Sequence, residues 1–364
     1  MPVACYSRLR DLPAGYRDLF EASHRKSFFL SRDWFELLES ACLERGQEPC
    51  LFGLEPEARA ETPKALLICR RAEDGGPIIR GRRLSSFTNF YTLDFAPLLA
   101  SDSDQRDGCL EELVAGIARA RPRWSQITLE ALDKDAGTFE TLLRALRAAG
   151  FVAHPYFQFG NWYEELGNRR YGEYQAGLPK STRRRARTFD RRDDLKLRII
   201  KDTKDLDAGI ADYESVYERS WKEPERFPGF IPGLLRRSAA AGALRLGLLY
   251  VEDRPAAAEI YIVDGGRAIS FKASYDEAFK KLGAGTILSA QMMKHLIDVE
   301  KVGQIDFGSG DDAYKRDWMS SRRERWGIVA FNPRTLPGLL GAARHLGGLA
   351  LKRIGRSLPR KDPE

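Results

Sequence analysis

Three short apolar segments, followed by a glycine-containing turn and a helix, constrain the fold of this chain most strongly. The apolar segments are residues 244–251, 257–263 and 268–273. Asp253-Arg254-Pro255 and Asp264-Gly265-Gly266, which separate them, are typical of tight turns. The pattern predicts an antiparallel three-stranded meander.

A glycine pair follows the meander and precedes residues 286–299, whose apolar side chains recur at helical spacing. Glycines let backbone N–H groups approach a ligand closely, and a helix N-terminus carries partial positive charge. The pair is therefore predicted to help hold a pyrophosphate, and a plain tight turn is the alternative. The predicted donor segment consists of Lys280, Lys281, Leu282, Gly283, Ala284, Gly285 and Thr286.

Helices and strands alternate through the rest of the chain, which predicts a mixed α/β fold. The first half is predicted to contain helix 31–44 with Ser31 as N-cap, strands 51–54 and 65–69, helix 107–121, strand 126–132, helix 138–149 and strand 151–159. The second half adds strand 195–200, helices 206–221 and 230–241, the meander, helix 286–299, strand 304–307, short helix 312–319 and strand 328–331. Because both halves end in helix, strand, helix, strand, we expect a structural duplication whose halves meet near residues 151–165.

Length and composition exclude several classes of protein. The chain has 364 residues, 43% hydrophobic and 30% charged, which is typical of a globular protein with more than one domain. Its start lacks the apolar core of a signal peptide, and no apolar run reaches the ~20 residues of a membrane-spanning helix. We expect a cytoplasmic protein. Its five cysteines and four histidines show no metal-ligand spacing, so no metal is predicted.

Positive charge is concentrated in one segment. Residues 180–201 contain ten basic residues and three aspartates, a net charge of +7 that equals the net charge of the whole chain. This local surplus favours an anionic partner at one place on the surface. A nucleic-acid-binding protein is the alternative, but Phe189 is the one aromatic residue among these charges.

Several ordered motifs resemble the GNAT superfamily of acyltransferases, and specifically its CelD-type, FemAB-like acetyltransferase family. Residues 280–286 resemble the Q/R-x-x-G-x-G/A signature that holds the pyrophosphate of acetyl-CoA, with Lys280 where the family has Arg or Gln. Residues 305–318 are similar to the family's FDFGxGDExYKxxW ending, and residues 178–185 and 275–279 resemble its Arg-rich opening and the segment before the glycines.

The resemblance implies an α/β fold of two tandem GNAT-like halves, each a twisted mixed sheet flanked by helices. It implies a degenerate half at 1–160, an acetyltransferase domain at 161–335 and a basic amphipathic tail at 336–364. The tail is expected either to contact a membrane surface or to pack on the body.

The resemblance also implies acetyl-CoA or another acyl-CoA as donor and an amine as acceptor. Glu259 is expected as general base, Tyr314 as general acid, and Asp306 as a further catalytic residue that could bind the substrate amine. The expected substrate-binding residues are Arg183, Arg184, Asp311, Lys315 and Trp318. Purely structural roles are the alternative: a solvated strand position for Glu259, packing for Tyr314, and turn capping for Asp306 and Asp311.

The acceptor suggested by the family is an amino sugar or an envelope polysaccharide precursor. Two other functions remain open from the sequence. The first is an aminoacyl transferase that takes its donor from tRNA and would use the basic segment directly. The second is a non-catalytic protein that keeps the fold without the chemistry.

Overall fold

The computed structural model describes residues 1–55, 62–74, 81–100 and 105–357. The regular elements of its first half are β1 (Val3–Tyr6), α1 (Arg17–His24), α2 (Arg32–Ala41), β2 (Gln47–Leu54), β3 (Ala65–Asp74), β4 (Gly81–Ser86), β5 (Leu98–Leu99), α3 (Arg106–Arg119), β6 (Gln126–Asp133), α4 (Gly137–Ala148) and β7 (Val152–Glu165).

The second half begins with two short helices, the second of which starts the basic segment. Its elements are α5 (Tyr171–Ala176), α6 (Lys180–Ala186), β8 (Leu195–Ile200), α7 (Leu206–Glu218), α8 (Phe230–Ala240), β9 (Leu244–Val251), β10 (Arg254–Asp264), β11 (Arg267–Tyr275), α9 (Ala284–Lys294), β12 (Gln304–Ser309), β13 (Ser321–Phe331) and α10 (Leu336–Ser357). A π-helical turn, His295–Val299, continues α9.

One mixed sheet runs through both halves, in the strand order β1-β2-β3-β4-β6-β13-β7-β12-β11-β10-β9-β8. Each half repeats the same arrangement. Strands β1 to β4 are antiparallel and β4 is parallel to β6; likewise β8 to β11 are antiparallel and β11 is parallel to β12. The mixed α/β fold and its internal duplication are therefore confirmed.

The two halves exchange their last strands. Strand β7, which ends the first half, pairs with β12 of the second half, and β13 of the second half pairs with β6 of the first. The two exchanged strands also pair with each other along 11 registered positions. The halves thus share one sheet instead of each closing its own, and the exchange pairs the strand edges that would otherwise face each other unbonded.

Most of the elements predicted from the sequence are confirmed, and the differences lie at their ends. Ser31 caps α2 as expected, since its hydroxyl accepts the N–H of Trp34 at 3.2 Å. Strand β13 begins seven residues earlier than its predicted start at 328, and the predicted short helix 312–319 is a 3₁₀-helix, Ala313–Asp317. Strands β1, β4 and β5 and helices α1, α5 and α6 were not predicted.

Aromatic side chains from both halves pack together beside the shared sheet. Trp34 of α2 lies edge-on to Phe230 of α8, with ring centroids 5.8 Å apart, and its ring is 5.9 Å from that of Phe271 on β11. Phe28 and Phe29 complete this cluster. Aromatic pairs contribute beyond the area they bury, so the cluster fixes the first half against the second.

Residues 336–357 of the predicted basic tail form α10, and residues 358–364 lie outside the described residues. Helix α10 packs on the body at Ala342 and exposes leucines at positions 336, 339, 340 and 346. Both alternatives for the tail are thus compatible with its placement: one side contacts the protein and another is open. No helix within the described residues has the length and apolar content that crossing a bilayer requires.

Candidate active site

An open cleft of about 660 Å³ lies in the second half, beside the start of α9. Its walls come from α6, β10, β11, α9, β12, the 3₁₀-helix Ala313–Asp317 and the segment that follows α7. The shared sheet and the helices that pack on it bring together side chains that are far apart in sequence. Glu259 and Tyr314 both line this cleft, as do Gly285, Thr286 and Trp318.

Glu259 lies in the middle of β10 with its carboxylate buried. The hydroxyl of Ser289, on α9, lies 2.5 Å from Oε1 and donates to it. The other oxygen, Oε2, is buried and has no hydrogen-bond partner among the described residues. Burial raises the pKa of Glu259 to about 7, against the opposing effects of the Ser289 hydrogen bond and the charge of Lys222. A carboxyl group with this pKa can accept or release a proton near neutral pH.

Tyr314 lines the same cleft from the 3₁₀-helix that follows β12, and 53% of its surface is exposed. Partial burial against the cleft raises the pKa of Tyr314 above its usual value, with smaller contributions from Asp312 and Glu259. The phenol is therefore protonated at neutral pH and available as a proton donor.

The predicted donor segment contributes to the cleft with its last two residues. Gly283 is the N-cap of α9 and has a left-handed backbone with φ 77°. Gly285 and Thr286, in the first helical turn, line the cleft, where the N–H groups have no intrahelical partner. Lys280, Lys281 and Leu282 do not line it: Lys280 is exposed and lies 3.3 Å from Glu277, Lys281 is also exposed, and Leu282 packs on the core of the second half. Ala284 is fully buried at the helix start.

The basic helix α6 presents a different arginine to the cleft from the two that were predicted. Arg185 lines the cleft together with Ser181 and Thr182, and its side chain lies against the backbone of Gly283. A Cβ atom at position 283 would be 3.0 Å from Cδ of Arg185. Arg183 and Arg184 are not among the residues of the cleft wall.

Asp306 is not brought together with Glu259 and Tyr314. Its Oδ1 accepts Nδ2 of Asn161 at 2.6 Å and the N–H of Gly308 at 2.8 Å, and its Oδ2 pairs with Arg323. Successive residues of a strand face opposite sides, so Phe307 lines the cleft while Asp306 faces the other side of the sheet. The structure therefore assigns Asp306 to an ion-pair network between β7, β12 and β13, which corrects its expected place in the catalytic site.

The remaining predicted substrate residues have separate surroundings. Asp311 forms a bidentate pair with Arg322, at 2.7 and 2.8 Å, and accepts from the indole of Trp162, so it lies outside the cleft. Lys315 is buried, donates to the carbonyl of Ser309 and lines a smaller cavity next to the cleft. Trp318 is buried in the cleft wall, where its carbonyl accepts the hydroxyl of Tyr174 at 2.6 Å.

The cleft is also lined by Ser289, Trp221 and Lys222, which were not predicted as site residues. The ring of Trp221 rests on that of Tyr275, with centroids 4.5 Å apart. Burial lowers the pKa of Lys222 to about 8, and the nearby charge of Lys272 contributes. The segment after α7 has no hydrophobic periodicity, so the sequence holds no signal for Trp221 and Lys222.

A groove continues from the cleft into the first half of the chain. Two cavities, of about 170 and 740 Å³, share Lys222 with the cleft and are also lined by Phe90 and Tyr91. The larger one extends to Asn89 and Gln158. Residues of the first half therefore form one end of a groove whose other end is at Glu259.

Within the described residues there is no group of three or more His, Cys, Asp or Glu side chains arranged to hold a metal ion.

One segment of the chain matches a known protein family. Residues 178–316 match the family model of the acetyltransferase (GNAT) domain. This segment is a GNAT domain, and it covers less than half of the chain. The matched segment runs from the start of the basic helix to the 3₁₀-helix of Tyr314, so it includes the principal walls of the cleft.

Solved structures share the fold of nearly the whole chain, including the GNAT domain. The crystal structure of FemX superimposes with a TM-score of 0.61 at 11% identity, covering 93% of this chain and 98% of that one. A protein of unknown function from Bacteroides thetaiotaomicron superimposes with a TM-score of 0.52 at 12% identity, covering 88% and 98%. At such identities the likeness shows the fold alone. The sequence has no match among curated proteins.

Proposed function

We propose that this chain is an N-acyltransferase that transfers an acyl group, acetyl in the simplest case, from a CoA thioester to an amine. The observation that carries the proposal is the buried carboxylate of Glu259, with a pKa of about 7 and an unpartnered Oε2, in a cleft that opens beside the glycine turn of α9.

The donor is proposed to bind with its pyrophosphate at the first turn of α9, where unpaired N–H groups and the helix dipole favour an anion. Arg185 adds a positive charge beside this turn. The thioester would then extend toward Glu259 and Tyr314, which line the same cleft.

The reaction follows from these placements. Glu259 takes a proton from the acceptor ammonium, and the free amine attacks the carbonyl carbon of the thioester. The C–N bond forms and the C–S bond breaks. The departing thiolate takes a proton from Tyr314, and the second proton that the nitrogen loses passes through water in the open cleft to the resulting phenolate. Both groups have the protonation state that this requires near neutral pH, since Glu259 is largely ionised above pH 7 and Tyr314 is neutral.

The acceptor is proposed to be an amino sugar or an envelope polysaccharide precursor. The groove that joins the cleft to the first half combines polar side chains with the exposed rings of Phe90 and Trp221, which are 80% and 54% exposed. Aromatic faces offer flat apolar area on which a sugar ring can pack, while polar groups such as Asn89 and Gln158 can bond hydroxyl groups.

Calorimetry with acetyl-CoA, followed by a thiol-release assay with acetyl-CoA and glucosamine, tests the proposal. We expect acetyl-CoA to bind and free CoA to form in the presence of the amine. If the protein binds no acyl-CoA, the proposal is wrong. If the purified protein binds aminoacyl-tRNA instead, the chain is an aminoacyl transferase.

A further inference from the structure

Lys222 occupies the junction of the groove. It lines the cleft that contains Glu259 and both neighbouring cavities, so a molecule that passes from the first half toward Glu259 must pass its side chain. Its neighbour Trp221 is held on the ring of Tyr275, which fixes the local backbone. The acceptor amine and the donor thioester are proposed to meet at this point.

The ammonium group of Lys222 differs from that of its neighbour Lys272 in its partners. Within the described residues, Nζ of Lys222 makes no hydrogen bond or ion pair, and its ring contact with Trp221 is long, at 5.6 Å. In contrast, Nζ of Lys272 lies 2.5 Å from a carboxylate oxygen of Glu225. The charged and titratable groups that face Lys222 are Lys272, Glu225, Asp312 and Glu259.

The protonation state of the Lys222 amine suits a nucleophile. Burial and the charge of Lys272 lower the pKa of Lys222 to about 8, so the neutral amine is populated near neutral pH. For an exposed lysine with the usual pKa, the neutral fraction at the same pH is roughly 200-fold smaller. A general base, Glu259, lines the same cleft.

We propose that Lys222 is itself acylated: when no external amine is bound, its Nζ attacks the thioester of the bound acyl-CoA and becomes an Nε-acyl-lysine. This inference rests on the proposed function, since it needs the same donor in the same cleft. The N–C bond forms and the C–S bond breaks. One proton leaves the nitrogen for Glu259, the thiolate takes a proton from Tyr314, and CoA leaves as the thiol.

Self-acylation would inhibit the enzyme. An amide is far less reactive than a thioester, so each chain takes up at most one acyl group at this position. The product has lost the positive charge at the junction and carries added bulk where the acceptor amine must arrive. The modified chain is therefore expected to turn over more slowly than the unmodified chain.

The test needs no acceptor. The full chain is incubated with acetyl-CoA alone, and acetylation of each lysine is followed in time by peptide mass spectrometry. We expect Lys222 to be acetylated at least about tenfold faster than Lys272 or the exposed Lys196, because its neutral fraction is larger and a base is nearby. In Glu259→Gln the rate at Lys222 should fall toward that of the exposed lysines. Lys222→Arg should take up no acetyl group at this position.

The outcomes separate this inference from the function on which it rests. If acetyl-CoA binds and glucosamine is acetylated while Lys222 stays unmodified, self-acylation is overturned and the proposed function stands. Equal rates at Lys222 in the wild type and in Glu259→Gln indicate chemical acetylation by the reagent and also overturn it. If no acyl-CoA binds, both fall together.

Discussion

Burial of the Glu259 carboxylate links catalysis to stability. Its pKa rises from an unfolded value of 4.5 to about 7, so the folded chain holds this proton more tightly than the unfolded chain does. The stabilising contribution of the protonated group is complete below pH 4.5 and is lost as pH rises through 7. Above that pH, ionisation of the buried group costs roughly 3 kcal/mol, from about 1.4 kcal/mol per pKa unit.

Glu259→Gln should therefore make the protein more stable while removing the proposed base. A glutamine cannot ionise, and it keeps an acceptor oxygen for Ser289. We expect urea denaturation to give a higher free energy of unfolding for the variant at about pH 8, by up to roughly 3 kcal/mol, and a much smaller difference at about pH 5. An equal difference in the free energy of unfolding at the two pH values would show that burial does not raise the pKa of Glu259.

Tyr314→Phe tests the proposed acid. The substitution removes one hydroxyl group from a half-exposed side chain, so the fold and the affinity for acetyl-CoA should change little. Turnover should fall by about 100-fold if the phenol protonates the leaving thiolate. Calorimetry and the thiol-release assay measure the two effects separately. Full turnover in the variant would assign the proton to another donor.

At this scale the sequence is a good guide where local pattern and family resemblance agree, and a poor one where remote residues decide. Glu259 and Tyr314 line one cleft, in keeping with the roles proposed for them. Asp306 does not, because Asn161 and Arg323, which are distant in sequence, occupy its carboxylate. Lys222 could not be identified, since its properties come from burial that only the folded chain creates.

The two glycines at the start of α9 have different roles: Gly283 matters for stability and Gly285 for the proposed binding of the donor. At Gly283 the backbone has φ 77°, so any other residue is strained there and stability should fall by about 1 kcal/mol. At Gly285 the backbone is helical, but a Cβ would lie 3.0 Å from the ring of Tyr275 in the cleft wall. Gly285→Val should weaken binding of acetyl-CoA by tenfold or more, on the order of 1.4 kcal/mol, with a small change in thermal stability. Calorimetry that shows unchanged affinity would place the donor elsewhere.

Helix α6 offers a matched pair of arginines. Arg185 lines the cleft and lies against Gly283, whereas Arg184 is exposed on the same helix outside the cleft wall. Reversal of one positive charge changes the net charge equally in Arg185→Glu and Arg184→Glu. We expect the first to weaken acetyl-CoA binding several-fold more than the second, and the difference to shrink as salt screens the charge over ~8 to 10 Å. Equal effects would mean that the basic segment acts only through its overall field.

Element boundaries show why a strand can be identified from sequence while its partners cannot. The apolar end of β13 was predicted, but its first half carries Arg322, Arg323, Glu324 and Arg325, which do not alternate with apolar residues. These charges are satisfied by carboxylates from other segments, Asp311 and Asp306 among them. Nothing local to the strand indicates those partners, or the exchange that places β13 beside β6.

The whole molecule repeats one arrangement twice but builds the candidate site once. In the first half, α3 and α4 start around a cavity of about 390 Å³ in the position that corresponds to the cleft of the second half. Asp107 stands in the first turn of α3, and Asp94 and Asp133 also line this cavity. Negative charge at a helix N-terminus opposes binding of a pyrophosphate.

The first half also differs at the position of the proposed base. Strand β3, which corresponds to β10, buries Leu66, Leu67, Ile68 and Cys69 where β10 buries Glu259. The first half instead contributes the distal end of the groove, with Phe90 and Tyr91. We therefore expect the second half to bind the donor and carry out the chemistry, while both halves contact the acceptor.

This division predicts that each chain binds one molecule of acyl-CoA. Calorimetric titration with acetyl-CoA should give a stoichiometry of one per chain. The cleft at α9 combines a helix start, a nearby arginine and a buried carboxylate, whereas three aspartates outnumber the two basic residues, Lys26 and Arg106, that line the cavity at α3. Asp107→Asn, in the first half, should leave both stoichiometry and affinity unchanged, since Asp94 and Asp133 still oppose an anion in that cavity and Asp107 lies outside the cleft. Two equivalents of acetyl-CoA, or loss of binding in Asp107→Asn, would show that the first half holds donor as well.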